Sequence, residues 1–140
     1  MKSSKRARVL LDTSTLFSAL GWSGAPFEVL IKINEGNSDL VLTDYILDEL
    51  SDHFRDFPPE RREHALESLE HLEEASVIKE SEWKENLSRA EELVGESKDA
   101  PIMAAFLTDR VDVLVTSNES DFPVEDMEDV QTPTEFLEKL

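Results

Sequence analysis

VLLDTSTLFSAL, residues 9–20, is the stretch on which the fold turns. Three aliphatic side chains in a row, Val9, Leu10 and Leu11, stop at Asp12. Strict alternation would mark a strand with one wet face. An unbroken aliphatic run marks a strand buried on both faces, as in parallel sheets covered by helices. Thr13, Ser14 and Thr15 then add hydroxyls rather than bulk, and a helical pattern runs from Thr15 to Leu20. The stretch therefore reads as buried strand (ARVLL, 7–11), acid, helix.

The same alternation continues along the chain. Further strand-like runs are DLVL (39–42), a weaker SVIK (76–79), DVLVT (112–116) and a marginal EDVQ (128–131). Helical spacing fills the gaps: Pro26–Asn34, with Gly36 beyond its end; Tyr45–Phe54, with Ile46, Leu47, Leu50 and Phe54 on one face; and Glu60–Glu74, with Leu66, Leu69 and Leu72 inside. Trp83–Val94, Asp99–Leu107 and Phe136–Leu140 follow. The first three gaps between strands are long enough for parallel crossovers. The expected architecture is α/β: a three-layer α/β/α sandwich on a mainly parallel five-stranded sheet. No internal linker stands out, so residues 1–140 are expected to form one domain. The first six residues are a loose basic arm; Lys2, Lys5 and Arg6, with Arg8 just after, either touch a phosphate backbone or simply fray.

Composition removes several function classes. Without cysteine there is neither a disulfide nor a thiolate metal site. No apolar run nears the roughly 18 residues of a membrane span, and no long apolar segment follows the basic MKSSKRAR, so a cytoplasmic protein is expected. Thirty-two acids face fourteen bases, a net charge of -18. The acids are interleaved with apolar residues, which argues against a disordered acidic tail. Such a charge repels nucleic acid in dilute buffer. It is tolerable where salt screens it, and a halophilic source is the favoured reading. In so acidic a chain an isolated carboxylate carries little information; only its position does.

Ligands of open α/β sheets bind beyond the carboxyl ends of the strands. Asp12 follows the first strand there, and Asn118, Glu119 and Asp121 in VTSNESDF (115–122) follow the fourth. Asp99 opens the helix that leads to that strand, and Glu49 lies about two turns into the helix after the second strand. Each has a plainer reading. Asp99 fits an N-cap before Ala100 and Pro101, Glu49 a solvated face shared with Asp48 and Asp52, and Asp121 a turn before Pro123. Asp12 is the hardest to dismiss, although it too could cap the next helix. Carboxylates converging in one pocket repel one another unless a cation joins them. A hard divalent ion with oxygen ligands resolves this and can serve phosphodiester hydrolysis.

Other chemistries fare worse. His53, His64 and His71 show no zinc spacing and read as surface groups. GWSGAP (21–26) is not GxGxxG and reads as a loop, with Trp22 either a core plug or a stacking platform. No arrangement resembles a nucleophile elbow.

As a set, VLLDTSTLFSAL (9–20), LVLTDYILDEL (40–50), KDAPIMAAFL (98–107), DVLVTSNESDF (112–122) and TPTEFLEKL (132–140) resemble the PIN-domain family of metal-dependent nucleases, which includes VapC-type toxins. The resemblance implies sheet order 3-2-1-4-5. It implies a catalytic set of Asp12, Glu49, Asp99 and Asp121, with Asp12, Asp99 and Asp121 forming the metal shell directly or through water. Glu49 would hold or activate a water. Thr13 and Thr116 would support the acids by hydrogen bonds, Asn118 would be a polar helper, and Glu119 would face solvent. It further implies Mg²⁺ or Mn²⁺ as cofactor, RNA as substrate, a cognate antitoxin as partner and a homodimer. The expected function is an endoribonuclease, the toxin of a toxin–antitoxin pair. A PIN-like module that binds RNA without cleaving it is the alternative that Asn118 leaves open. A haloacid-dehalogenase-type phosphohydrolase is the weaker one, because DTSTL lacks the second Asp of DxDxT. A receiver domain needs a phosphate-accepting Asp after a central strand, and SVIKESE (76–82) offers none.

Overall fold

The computed structural model describes residues 6–21, 23–72, 75–123 and 129–140, with no side-chain description at 37, 66 and 68–72. The expectations for Trp22, for Lys2 and Lys5, for the side chains of Leu66, Leu69, His71 and Leu72, for the helix end at Glu74 and for a strand start at Glu128 lie outside the described residues.

Five strands form one sheet: β1 (Ala7–Leu11), β2 (Ser38–Thr43), β3 (Ser76–Ile78), β4 (Val113–Val115) and β5 (Val130–Gln131). Their order is β3-β2-β1-β4-β5. Every pairing is parallel, so the mainly parallel sheet expected from sequence is wholly parallel among the described residues. Val9, Leu10 and Leu11 are each 0 % exposed, so both faces of the central strand are covered, as an uninterrupted aliphatic run requires.

Helices flank this sheet. α1 (Thr13–Gly21) follows β1, α2 (Ala25–Lys32) precedes β2, and α3 (Asp44–Phe54) and α4 (Pro59–Leu72) link β2 to β3. α5 (Glu80–Trp83), α6 (Leu87–Val94) and α7 (Asp99–Phe106) link β3 to β4, and α8 (Pro133–Glu138) follows β5. α3 buries Ile46, Leu50 and Phe54, one side chain per turn, and starts where the Thr43 hydroxyl accepts the Ile46 N–H at 2.9 Å. Among the described residues, no helix is long and apolar enough to cross a membrane.

Several boundaries depart from the sequence expectation, each for a local reason. The single helix expected over Trp83–Val94 is broken into α5, a tight turn at Lys84–Asn86, and α6. Two anchors impose the break: Trp83 Nε1 donates to Asp44 Oδ1 at 3.0 Å, and Asn86 Nδ2 donates to the Ala104 carbonyl at 3.2 Å. α8 starts at Pro133 rather than Phe136, because Thr132 and Glu135 form a capping box around it. α2 runs into a wide turn at Ile33–Asn37, where Gly36 takes φ 95°, a conformation that costs other residues energy. Arg6 and Arg8 are not part of a loose arm. Arg8 lies in β1 and pairs with Asp112 at 3.1 Å; Arg6 pairs with Asp39 at 2.9 Å.

The chain adds β2 and then β3 on one side of β1, and returns to place β4 on the other. That reversal leaves a crevice between β1 and β4 at their carboxyl ends. Leu11 and Val115 are register partners there, so the next residues, Asp12 and Thr116, emerge side by side.

Candidate metal centre

Asp12 is 4 % exposed, and both of its carboxylate oxygens are held. Oδ1 accepts the Thr15 N–H at 3.1 Å, which caps α1. Oδ2 accepts the Thr116 hydroxyl at 2.6 Å. The Thr116 hydroxyl itself accepts the Asn118 N–H at 3.0 Å, so its own proton is directed at Asp12. Asp12 therefore does cap a helix, and the N-terminus of α1 favours its charge. Capping does not exhaust the carboxylate, because each oxygen keeps lone-pair capacity.

The Thr13 hydroxyl donates to Glu49 Oε1 at 2.5 Å, which ties the start of α1 to the middle of α3. Tyr45, one turn before Glu49, also hydrogen-bonds it. Burial first, and then the charge and hydrogen bond of Glu49, push the Tyr45 phenol up to about 12. Glu49 is half-buried, unlike exposed Asp48 and Asp52, so it does not belong to a uniformly solvated face.

Asp99 is the first residue of α7, yet no side chain caps that helix. The Ser97 hydroxyl accepts the Asp99 N–H at 3.2 Å instead, so the plainer N-cap reading of Asp99 does not hold. Burial, and then the charges of Asp121, Asp12 and Glu49 in that order, raise the Asp99 carboxyl above its ordinary value. Three carboxylates from distant parts of the chain thus act on Asp99, Asp121 more strongly than the other two.

Asp12, Thr13, Glu49 and Asp99 line one cavity of about 310 Å³, whose wall also includes Phe17 and Lys98. Asp121 is exposed, in a turn at Glu119–Asp121. Asn118 contributes its backbone N–H to the Asp12 network, not the side chain that its residue type suggested. Glu119 is half-buried and reaches Glu135 of α8, so it does not point freely into solvent.

Three participants were not singled out from sequence. The Thr15 hydroxyl accepts the Ser117 N–H at 3.1 Å and joins α1 to the loop after β4. Tyr45 sits four residues before Glu49, a helical spacing that could have flagged it. Lys98 precedes Asp99 directly.

The donor set fits a hard divalent cation. It offers carboxylate and hydroxyl oxygens, no thiolate, and mutual repulsion that a cation relieves. Among the described residues no three acidic or histidine side chains are already gathered to hold an ion unaided.

Comparison with known proteins bears on this arrangement. The model of the PIN domain matches residues 8–120, which include Asp12, Glu49 and Asp99 and stop one residue before Asp121. Among solved structures, the fold is similar to one titled as the crystal structure of VapBC2 from Rickettsia felis bound to a DNA fragment from their promoter. The TM-score is 0.60 with 17 % identity over 82 % of this chain and 90 % of that one, a likeness of fold alone. No curated protein matches this chain in sequence. The family match spans β1 to the turn after β4, the sheet has the order the resemblance implied, and the chain belongs to the PIN-domain family.

Proposed function

We propose that this protein is a divalent-metal-dependent endoribonuclease and the toxin of a toxin–antitoxin pair. One observation carries the nuclease reading: Asp12, Glu49 and Asp99, from three distant parts of the chain, line the same cavity at the carboxyl end of the sheet. Family membership supports hydrolysis of a phosphodiester. The similar VapBC2 fold supports a toxin role with an antitoxin partner.

Asp12 would hold the ion, with its two oxygens fixed by Thr15 and Thr116. Asp99 and Asp121 would complete the shell, directly or through ordered water. Mg²⁺ or Mn²⁺, when bound, supplies Lewis-acid polarisation of water and of the phosphate oxygens. Glu49, oriented by Thr13 and Tyr45, would hold a water near the cavity and accept its proton.

The test is Asp12→Asn, which keeps the size of the side chain and one of its two hydrogen-bonding oxygens. The variant should retain the circular dichroism of the wild type and lose RNA cleavage. Undiminished cleavage would remove this assignment of the site.

A further inference from the structure

The cavity beside the carboxylates has features that holding an ion does not require. Its volume of about 310 Å³ lies within the range of small-molecule sites. Phe17 and Ile102 give it an apolar wall, and His53 and Lys98 stand at the same cavity. His53 is exposed, and its ring meets Phe17 edge-on, with centroids 5.5 Å apart and planes at 61°. Phe17 is backed by Phe54 at 5.8 Å and Phe57 at 5.2 Å, so the aromatic surface is braced from behind.

Lys98 is the second feature. Arg6, Arg8 and Arg110, near the amino ends of the strands, are engaged by Asp39, Asp112 and Glu82. Lys98 is exposed, follows an acidic stretch and precedes Asp99, yet forms no ion pair among the described residues. An ammonium group is thus kept available at the cavity lined by Asp12, Glu49 and Asp99. A polyanion approaching a chain of net charge -18 needs such a group locally. Single-stranded nucleic acid is bound by this combination: a cation for the backbone and an aromatic face for a base.

We propose that Lys98 and the Phe17–His53 pair form a substrate subsite for single-stranded RNA. Lys98 contacts the phosphate next to the one being cleaved, and the aromatic pair stacks the adjoining base. This rests on the nuclease reading above, and names the residues that make RNA bind there.

The experiment is stopped-flow fluorescence anisotropy with a labelled 12-nucleotide single-stranded RNA, read before turnover, across a series of KCl concentrations with Mn²⁺ present. Steady-state cleavage is measured beside it. Lys98→Gln should weaken binding about 5- to 10-fold, reduce the slope of log affinity against log salt by ~0.7, as expected for one lost phosphate contact, and raise KM with kcat retained. Lys98→Arg should restore the slope. His53→Ala should weaken binding by about 5-fold, and His53→Phe should recover it, because stacking needs a ring and not a charge. Wild-type affinity and slope in Lys98→Gln, or wild-type affinity in His53→Ala, would overturn the subsite while leaving the nuclease reading in place. A wild type that neither binds nor cleaves the RNA would overturn both.

Discussion

Asp99 carries its charge against opposition. Burial is the first cause, and the charges of Asp121, Asp12 and Glu49 follow. A carboxyl whose folded pKa is raised holds its proton more tightly in the native state. Its favourable contribution is complete below the unfolded value and is lost as pH rises through the folded one. At neutral pH the ionised Asp99 therefore destabilises the metal-free protein. Asp99→Asn should raise the Tm at pH 7 in EDTA while reducing Mn²⁺ binding, measured by calorimetry. A lower Tm would show that the carboxylate makes a stabilising contact that the geometry lacks. Asp12 was singled out in the sequence because it ends the aliphatic run Val9–Leu11. Asp99 was ambiguous because its residue type also suits a helix cap, a role it does not take: no side chain caps α7, and the Ser97 hydroxyl accepts the Asp99 N–H.

Helix α3 joins the β2 side of the sheet to the site. The Thr43 cap fixes where it starts, its apolar face fixes its rotation, and Glu49 consequently lies beside Thr13. Tyr45 shares that side of the helix, and its ring meets Trp83 at 6.4 Å, so the phenol is held against Glu49. Tyr45→Phe should lower cleavage by ~10-fold, the scale of lost supporting contacts at such sites, with the fold retained. It should also change the alkaline behaviour. The Tyr45 phenol is raised from 10.0 to about 12, so its contribution is present below pH 10 and disappears as pH rises through 12. Wild type should lose more stability than Tyr45→Phe between those values, and parallel denaturation curves would contradict this. At this scale the elements with strong apolar periodicity were readable. The break between α5 and α6 was not, because it depends on Asp44 and Ala104, which are distant in sequence. The capping box of α8 was readable in principle, since Thr132 and Glu135 have its spacing.

At the scale of the whole molecule, parallel pairing brings the ends of β1 and β4 together, and the net charge of -18 surrounds the result. The position of the crevice between β1 and β4 was therefore accessible from sequence once the strands were found. The site's hydroxyls were legible only through the family resemblance, which implied support of the acids by Thr13 and Thr116; the Thr15–Ser117 link, across 102 residues, was not. We propose that the acidic surface is an adaptation to high salt. The screening length falls from about 30 Å at 0.01 M to about 3 Å at 1 M, which removes most self-repulsion between exposed acids. The Tm should rise between 10 mM and 1 M KCl by at least a few degrees, given that ~1 kcal/mol shifts it by about 4 °C in a domain of this size. No rise would sink the salt reading. The same screening lets RNA approach, so the central claim is best tested in molar KCl. Single-stranded RNA is incubated with the protein in Mg²⁺, in Mn²⁺ and in EDTA, and the products are resolved by size. The account predicts internal cleavage with either metal and none in EDTA. Equal cleavage in EDTA, or intact RNA under all three conditions, would contradict it.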